Sequence, residues 1–119
     1  MNSSNKEMGK VGEEMAESLL KDLGYEIIKK NYRYGKGEID IIANDGDVLV
    51  FVEVKTRSNL HFGEPELAIT NTKINQLRKI ANMYLYENNI EDTLVRFDVI
   101  AILMDEKIEH KINHIINAF

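Results

Sequence analysis

The chain has no cysteine and a single proline, Pro65, among its 119 residues. Without cysteine there is no disulfide framework and no thiolate chemistry. No apolar run approaches the roughly 20 residues that a membrane-spanning helix needs. Residues 1–10 are polar and lack the apolar core of a secretory signal, so the expectation is a cytoplasmic protein with no membrane attachment. Positive charge is scarce as well. The net charge is −5, which argues against a broad non-specific nucleic-acid surface. The basic residues present are grouped: Lys29, Lys30, Arg33 and Lys36 with no acid between them, then Lys55 and Arg57, then Lys73, Arg78 and Lys79. No internal repeat, low-complexity stretch or linker divides the sequence. It reads as one domain over residues 1–119, with residues 1–7 a loose N-terminus.

The most informative stretch runs from Gly37 to Arg57. Two β-rich runs, 37–43 and 48–57, flank Asn44-Asp45-Gly46-Asp47, and an Asp-Gly pair between such runs is a strong hairpin signal. Period-two alternation then sorts the side chains. One face carries Ile39, Ile41, Ala43, Val48, Val50, Val52 and Val54, and must be buried. The other carries Glu38, Asp40, Ile42, Leu49, Phe51, Glu53 and Lys55, apolar near the turn and ionisable at the open end.

Around this hairpin the remaining elements fall into place. Residues 8–23 have the apolar spacing of an amphipathic helix, with Gly24 as its stop. Glu13 lies at the edge of its apolar face, while Glu14 and Glu17 turn toward solvent. Residues 25–30 read as a strand. Residues 31–36 read as a basic, tyrosine-containing connection in which Arg33 suits a phosphate and the tyrosines suit bases. After a loop over residues 58–69, with a helical turn at 66–69, a second helix starts from a cap within 70–72 and runs to about residue 88. Lys73 sits in its first turn, against the macrodipole preference. Residues 94–104 form a strand and residues 107–113 an edge strand. His110 and His114 stand four apart without the further ligands a metal site requires. The order α-β-β-β-α-β-β describes an α/β fold, a mixed sheet flanked by helices.

Glu53 and Lys55 share a strand face. If Asp45-Gly46 is the two-residue turn, Asp40 faces Phe51 and lies diagonal to Glu53; a bulge or longer turn brings the two carboxylates opposite each other. Two carboxylates converging on one point, with Glu13 and the Val54 carbonyl nearby, form an all-oxygen donor set that suits Mg²⁺ or Mn²⁺. Such an ion lowers the pKa of bound water and stabilises charge on a phosphate, and Lys55 is placed to orient that water. The competing reading is a structural ion-pair network in which Lys55 bridges Glu53 and Glu38 and nothing is catalysed. Spacing alone leaves both open.

Asp40 followed thirteen residues later by Glu53-Val54-Lys55, on two hairpin strands after a helix bearing Glu13, resembles the PD-(D/E)xK nuclease superfamily and is similar to archaeal Holliday-junction resolvases. Over nearly its whole length the chain also resembles the YraN-like uncharacterised bacterial family. That likeness rests on Gly12-Glu13 through Ala16, Leu23-Gly24-Tyr25, Asn31-Tyr32-Arg33, residues 37–43, residues 51–57, Phe62-Gly63, Lys73, Arg96-Phe97-Asp98 and Asn117-Ala118-Phe119. Ile39 stands where the superfamily often has proline. The resemblance implies a restriction-endonuclease-like fold, Glu13, Asp40 and Glu53 as ligands of Mg²⁺ or Mn²⁺, and Lys55 as the catalytic lysine. It implies Thr56, Arg57 and Lys73 as supporting or phosphate-contacting residues. The activity expected is metal-dependent endonucleolytic hydrolysis of DNA, branched or otherwise structured. The alternatives are a non-catalytic nucleic-acid-binding module and a partner-binding scaffold of the same fold. Resolvases of this fold act as dimers, so a homodimer fits the resemblance, although no residue here demands one.

Overall fold

The computed structural model describes residues 2–58, 69–104 and 110–119. The expected helical turn at 66–69, the Phe62-Gly63 motif and the first residues of the expected edge strand therefore lie largely outside the described residues. The elements run α1 (Asn2–Asp22), β1 (Glu26–Tyr34), β2 (Gly37–Asp45), β3 (Val48–Arg57), α2 (Asn71–Glu87), β4 (Leu94–Leu103) and β5 (Lys111–Ile115). They build one five-stranded mixed sheet in the order β1-β2-β3-β4-β5, with β3 and β4 parallel and the other neighbours antiparallel. The α/β class and the order of elements are as the sequence predicts. Among the described residues no helix is long and apolar enough to cross a membrane.

Each helix covers one face of the sheet. Ala16 and Leu20 of α1 are fully buried against Ile41, Ala43, Val50, Val52, Ile100 and Ile102. Leu77, Ile80, Ala81 and Tyr84 of α2 pack with Tyr32, Ile42, Leu49 and Phe51 on the opposite face. Alternation along the strands feeds both layers, so the central strands are buried on both sides. Each fully buried Leu or Ile contributes about 1.5–3 kcal/mol.

Three local differences from the sequence expectation matter. First, residues 2–7 are helical rather than loose, because α1 begins at Asn2. No proline interrupts that stretch, and Lys6 and Glu7 are good helix formers. The helix ends as expected. Gly24 takes φ +90°, its N–H donates to Lys21 O at 3.0 Å, and the Tyr25 N–H donates to Leu20 O at 2.9 Å, a Schellman arrangement. Second, β1 does not stop at Lys30. It continues to Tyr34 through Asn31, which adopts φ +53°. Tyr32 is buried there and donates its hydroxyl to Glu87 at 3.0 Å, so it is not available to stack on a base.

Third, the hairpin turn is one residue later than Asp45-Gly46. Asp45 pairs with Val48, and the two turn residues are Gly46 and Asp47. Gly46 takes φ +59°, the positive value that a II′ turn requires at its first position. The shift moves every cross-strand partner by two. Phe51 pairs with Ile42 and Val52 with Ile41, so continuing the register sets Asp40 opposite Glu53 rather than Phe51.

Candidate functional site

The β2–β3 ladder stops at Ile41–Val52, and beyond it the strands part. The cause is visible on β2 and β1 together. Ile41 packs on the α1 side, yet Ile39 packs with Ile42 on the α2 side. Ile39 therefore does not share a face with Ile41, as strict alternation would have it. The strand turns over at Asp40, and its neighbour β1 carries the left-handed Asn31 between the paired positions Lys30–Ile41 and Tyr32–Ile39. This local twist aims Asp40 into the opening between β2 and β3.

There the Val54 N–H, lacking a ladder partner, donates to Asp40 Oδ2 at 2.8 Å. The N–H and C=O of a residue in an extended strand point to the same side. The Val54 carbonyl therefore also faces this opening, while its side chain packs against the α1-side core. Asp40 also hydrogen-bonds the Glu53 carboxyl. Both carboxyls are more than nine-tenths buried. Burial first, then the hydrogen bond and charge of Glu53, push the Asp40 carboxyl well above the usual carboxylate range, against the opposing effect of the Val54 N–H.

Glu53 comes from the α2 face. Its Oε2 is buried without a hydrogen bond and has the Lys73 ammonium at 3.5 Å. The first turn of α2 supplies that lysine, and the helix is capped by Thr70, whose Oγ1 accepts from the Lys73 N–H at 3.1 Å. From the α1 face comes Glu13. One oxygen each from Glu13, Glu38 and Asp40 lie within 4.8 Å of one another, a spacing that a single cation can span. Glu13 reaches this point because α1 lies unusually close to β3. A methyl on Gly12 would fall inside the van der Waals surface of Thr56 Oγ1. On the opposite side Gly37 gives α2 the same latitude, since a methyl there would collide with the end of Ile80.

The structure thus brings Glu13 and Glu38 to one side of Asp40 and sets Glu53 and the Val54 N–H on the other, with Lys73 against Glu53; among the described residues the three carboxyls that share a cation-sized space are Glu13, Glu38 and Asp40, and Glu53 is not one of them. Lys55 lies on β3 two residues past Glu53 and, among the described residues, makes no ion pair. The bridge from Lys55 to Glu38 that a structural network requires is absent there. Glu38 is held instead by Arg33 at 2.9 Å and by Asn31 at 3.2 Å. The Thr56 hydroxyl lies against Gly12 and so against α1, on a half-buried side chain. Arg33 is exposed and paired with Glu38, and Arg57 keeps a buried Nε without a hydrogen-bond partner.

Two features escaped the sequence reading. The alternation places Glu38 two residues before Asp40 on one face, yet gives it only a salt bridge to Lys55. The second is a buried network away from the site. Asp98 is fully buried and accepts from Arg96, His114 and the Asn117 N–H at 2.8–3.0 Å, while Arg96 also reaches Asp45 and the Tyr25 hydroxyl. The residue types were legible, but their convergence from β4, β5 and the start of β1 was not.

Comparison with known proteins gives a consistent picture. The model of Uncharacterised protein family UPF0102 matches residues 12–102. A UPF0102 protein of Geotalea daltonii is 49% identical over 117 residues, 98% of this chain and 92% of that protein. A UPF0102 protein of Natranaerobius thermophilus is 46% identical over 118 residues, 98% of this chain and 99% of its own length. One of Clostridioides difficile is 46% identical over 116 residues, again 98% and 99%.

Proposed function

The chain belongs to the family UPF0102, and from the geometry of its site together with its resemblance to junction resolvases we propose that it is a divalent-cation-dependent endonuclease that hydrolyses phosphodiester bonds in branched or otherwise structured DNA. One observation carries this reading. Asp40 and Glu53 are two buried carboxyls in contact, and they are met only by the Val54 N–H at 2.8 Å on Asp40 and, more distantly, by the Lys73 ammonium at 3.5 Å from a Glu53 Oε2 that has no hydrogen bond. A buried carboxylate pair is costly unless something positive joins it. The donors are all oxygen, the set preferred by Mg²⁺ and Mn²⁺, and Glu13 and Glu38 each bring an oxygen within 4.8 Å of Asp40. These residues fit such an ion.

In this reading Asp40, Glu53, Glu13 and the Val54 carbonyl hold the cation. When bound, the ion supplies a water of lowered pKa and offsets charge on the scissile phosphate. Lys55, without an ion pair among the described residues, orients the attacking water and stabilises charge that develops in the transition state. Lys73 balances Glu53 while no cation is present; once the ion takes over that role, its ammonium is free to meet a phosphate oxygen. Arg57, with an unsatisfied Nε, and Arg33, at the surface, add phosphate contacts.

The test is cleavage of four-way-junction, flapped and linear duplex DNA with Mg²⁺ or Mn²⁺, alongside Mn²⁺ titration of the same preparations. Asp40→Asn is expected to lose both cation binding and cleavage. Lys55→Ala is expected to keep cation binding and lose about 100-fold or more in rate. Cleavage unchanged in both variants would remove the proposed site. Cation binding without cleavage of any substrate would favour a nucleic-acid-binding module of the same fold.

A further inference from the structure

Asn31 is a backbone outlier in the middle of a strand, with φ +53°. A non-glycine residue at positive φ is uncommon, and in a strand interior it marks a place where geometry has been fixed for a purpose beyond pairing. What this conformation achieves is visible in the side chain. Asn31 Nδ2 donates to Glu13 Oε1 at 2.9 Å and to Glu38 Oε1 at 3.2 Å. One carboxamide joins a carboxylate on α1 to a carboxylate on β2. Arg33, two residues on, takes the second oxygen of Glu38 at 2.9 Å. One oxygen each of Glu13, Glu38 and Asp40 lie within 4.8 Å of one another, and Asn31 holds two of the three carboxylates in that arrangement.

We propose that Asn31 is a positioning residue of the cation site, and that Glu38, held by Asn31 and Arg33, is a further carboxylate turned toward that site beside Glu13 and Asp40. This rests on the cation-dependent reading above. Asn31 contacts no reacting atom; it acts through Glu13 and Glu38. Ligating carboxylates are commonly fixed in this way by partners one shell out, whose loss weakens metal binding about 10–100-fold.

Asn31→Gly separates the two duties of the residue. Glycine adopts positive φ freely, so β1 keeps its path, but the carboxamide is gone. Asn89→Gly is the matched control, because Asn89 has the same φ of +53° beyond the end of α2. Mn²⁺ affinity is measured by calorimetry for wild type, Asn31→Gly, Asn89→Gly and Glu38→Gln, with melting temperature as the check of folding. The expected result is tenfold or greater loss of affinity in Asn31→Gly, a smaller loss in Glu38→Gln, and wild-type affinity in Asn89→Gly. Wild-type affinity in a folded Asn31→Gly would overturn the proposal while leaving the cation site standing. Undiminished affinity in Glu38→Gln would overturn the part assigned to Glu38. No Mn²⁺ binding by the wild type would overturn the functional reading itself, and this inference with it.

Discussion

Asp40 sits where two helices and two strands meet, and its proton decides what the site can accept. Burial and Glu53 hold its carboxyl protonated well above the usual carboxylate range. A folded-state pKa raised above the unfolded value means that the native protein binds more protons. Without a cation, the stability that Asp40 contributes is therefore fully present only at acid pH. It falls by up to about 1.4 kcal/mol per pH unit as pH rises from near 4 until the folded group ionises. In the proposed cation-dependent reading, a divalent ion takes the place of that proton. Two consequences follow for wild type: cation affinity rises with pH, and binding releases a proton, seen as a binding heat that depends on the ionisation enthalpy of the buffer. Calorimetry at pH 6 and pH 8 in two buffers measures both. Equal affinity at the two values, with no proton released, would mean that Asp40 is already ionised in the free protein. Asp40→Asn, which imitates the protonated form, should lose the alkaline fall in melting temperature.

At the scale of elements, two glycines set how closely the helices approach the sheet. Gly12 brings α1 to Thr56 and so brings Glu13 to Asp40; Gly37 brings α2 to β2 and so Lys73 to Glu53. The two contacts differ in stiffness. Behind Gly37 lie the ends of Ile80 and Gln76, which can rotate away. Behind Gly12 lies the short, β-branched Thr56 on a central strand. Gly12→Ala gains about 1 kcal/mol of helix propensity but meets an overpacking cost of about 1–3 kcal/mol, so the helix tilts away and carries Glu13 with it. The prediction is weaker Mn²⁺ binding in Gly12→Ala than in Gly37→Ala, with recovery in the double variant Gly12→Ala/Thr56→Ala, where the obstructing hydroxyl is gone. Additive effects of the two substitutions would show that they do not share one contact. The same scale explains how far the sequence could be read. The strands, the capped second helix and the two apolar faces follow from periodicity, because each is local. The turn did not follow to the residue. Asp45-Gly46 and Gly46-Asp47 are both acceptable pairs, and only the need for positive φ at the first turn position selects the second. That single step put Asp40 opposite Glu53. Asn31 was hidden for a related reason: Tyr32 and Tyr34 favour a strand, yet nothing in the residue order says that an asparagine among them takes a left-handed conformation and turns the strand over.

For the whole molecule, the notable feature is that the last residues brace the site from behind. Asp98 accepts the Asn117 N–H at 3.0 Å, Phe97 O accepts the Ala118 N–H at 2.7 Å, and the Phe119 ring stacks on Phe97 with centroids 5.1 Å apart. Phe119, Phe97, Phe51, Leu77 and Ile39 then line a space beside Glu53 too narrow for water, which keeps one side of that carboxyl dry. The Arg96-Phe97-Asp98 and Asn117-Ala118-Phe119 motifs, far apart in the chain, form one clasp. Burial alone would raise the Asp98 carboxyl; the hydrogen bonds from Arg96, the Asn117 N–H and His114 outweigh it, and the net effect is a pKa below the ordinary value. A depressed folded pKa contributes stability above the unfolded value of 3.8 and loses it as pH falls through the folded value. Wild type should therefore lose stability more steeply below about pH 4 than Asp98→Asn. At pH 7 the variant should be less stable by about 3 kcal/mol, the lower end for breaking a buried pair, because Asp45 still accepts from Arg96 at 2.9 Å. Urea unfolding across pH gives both quantities, and hydrogen exchange adds the decisive readout. If Asp98 is the clasp, the Ala118 amide exchanges faster in Asp98→Asn while the amides at the Ile41–Val52 pairing stay protected. If protection at Ala118 is retained, the segment is held by the stacked rings instead, and Phe119→Ala should release it where Asp98→Asn did not.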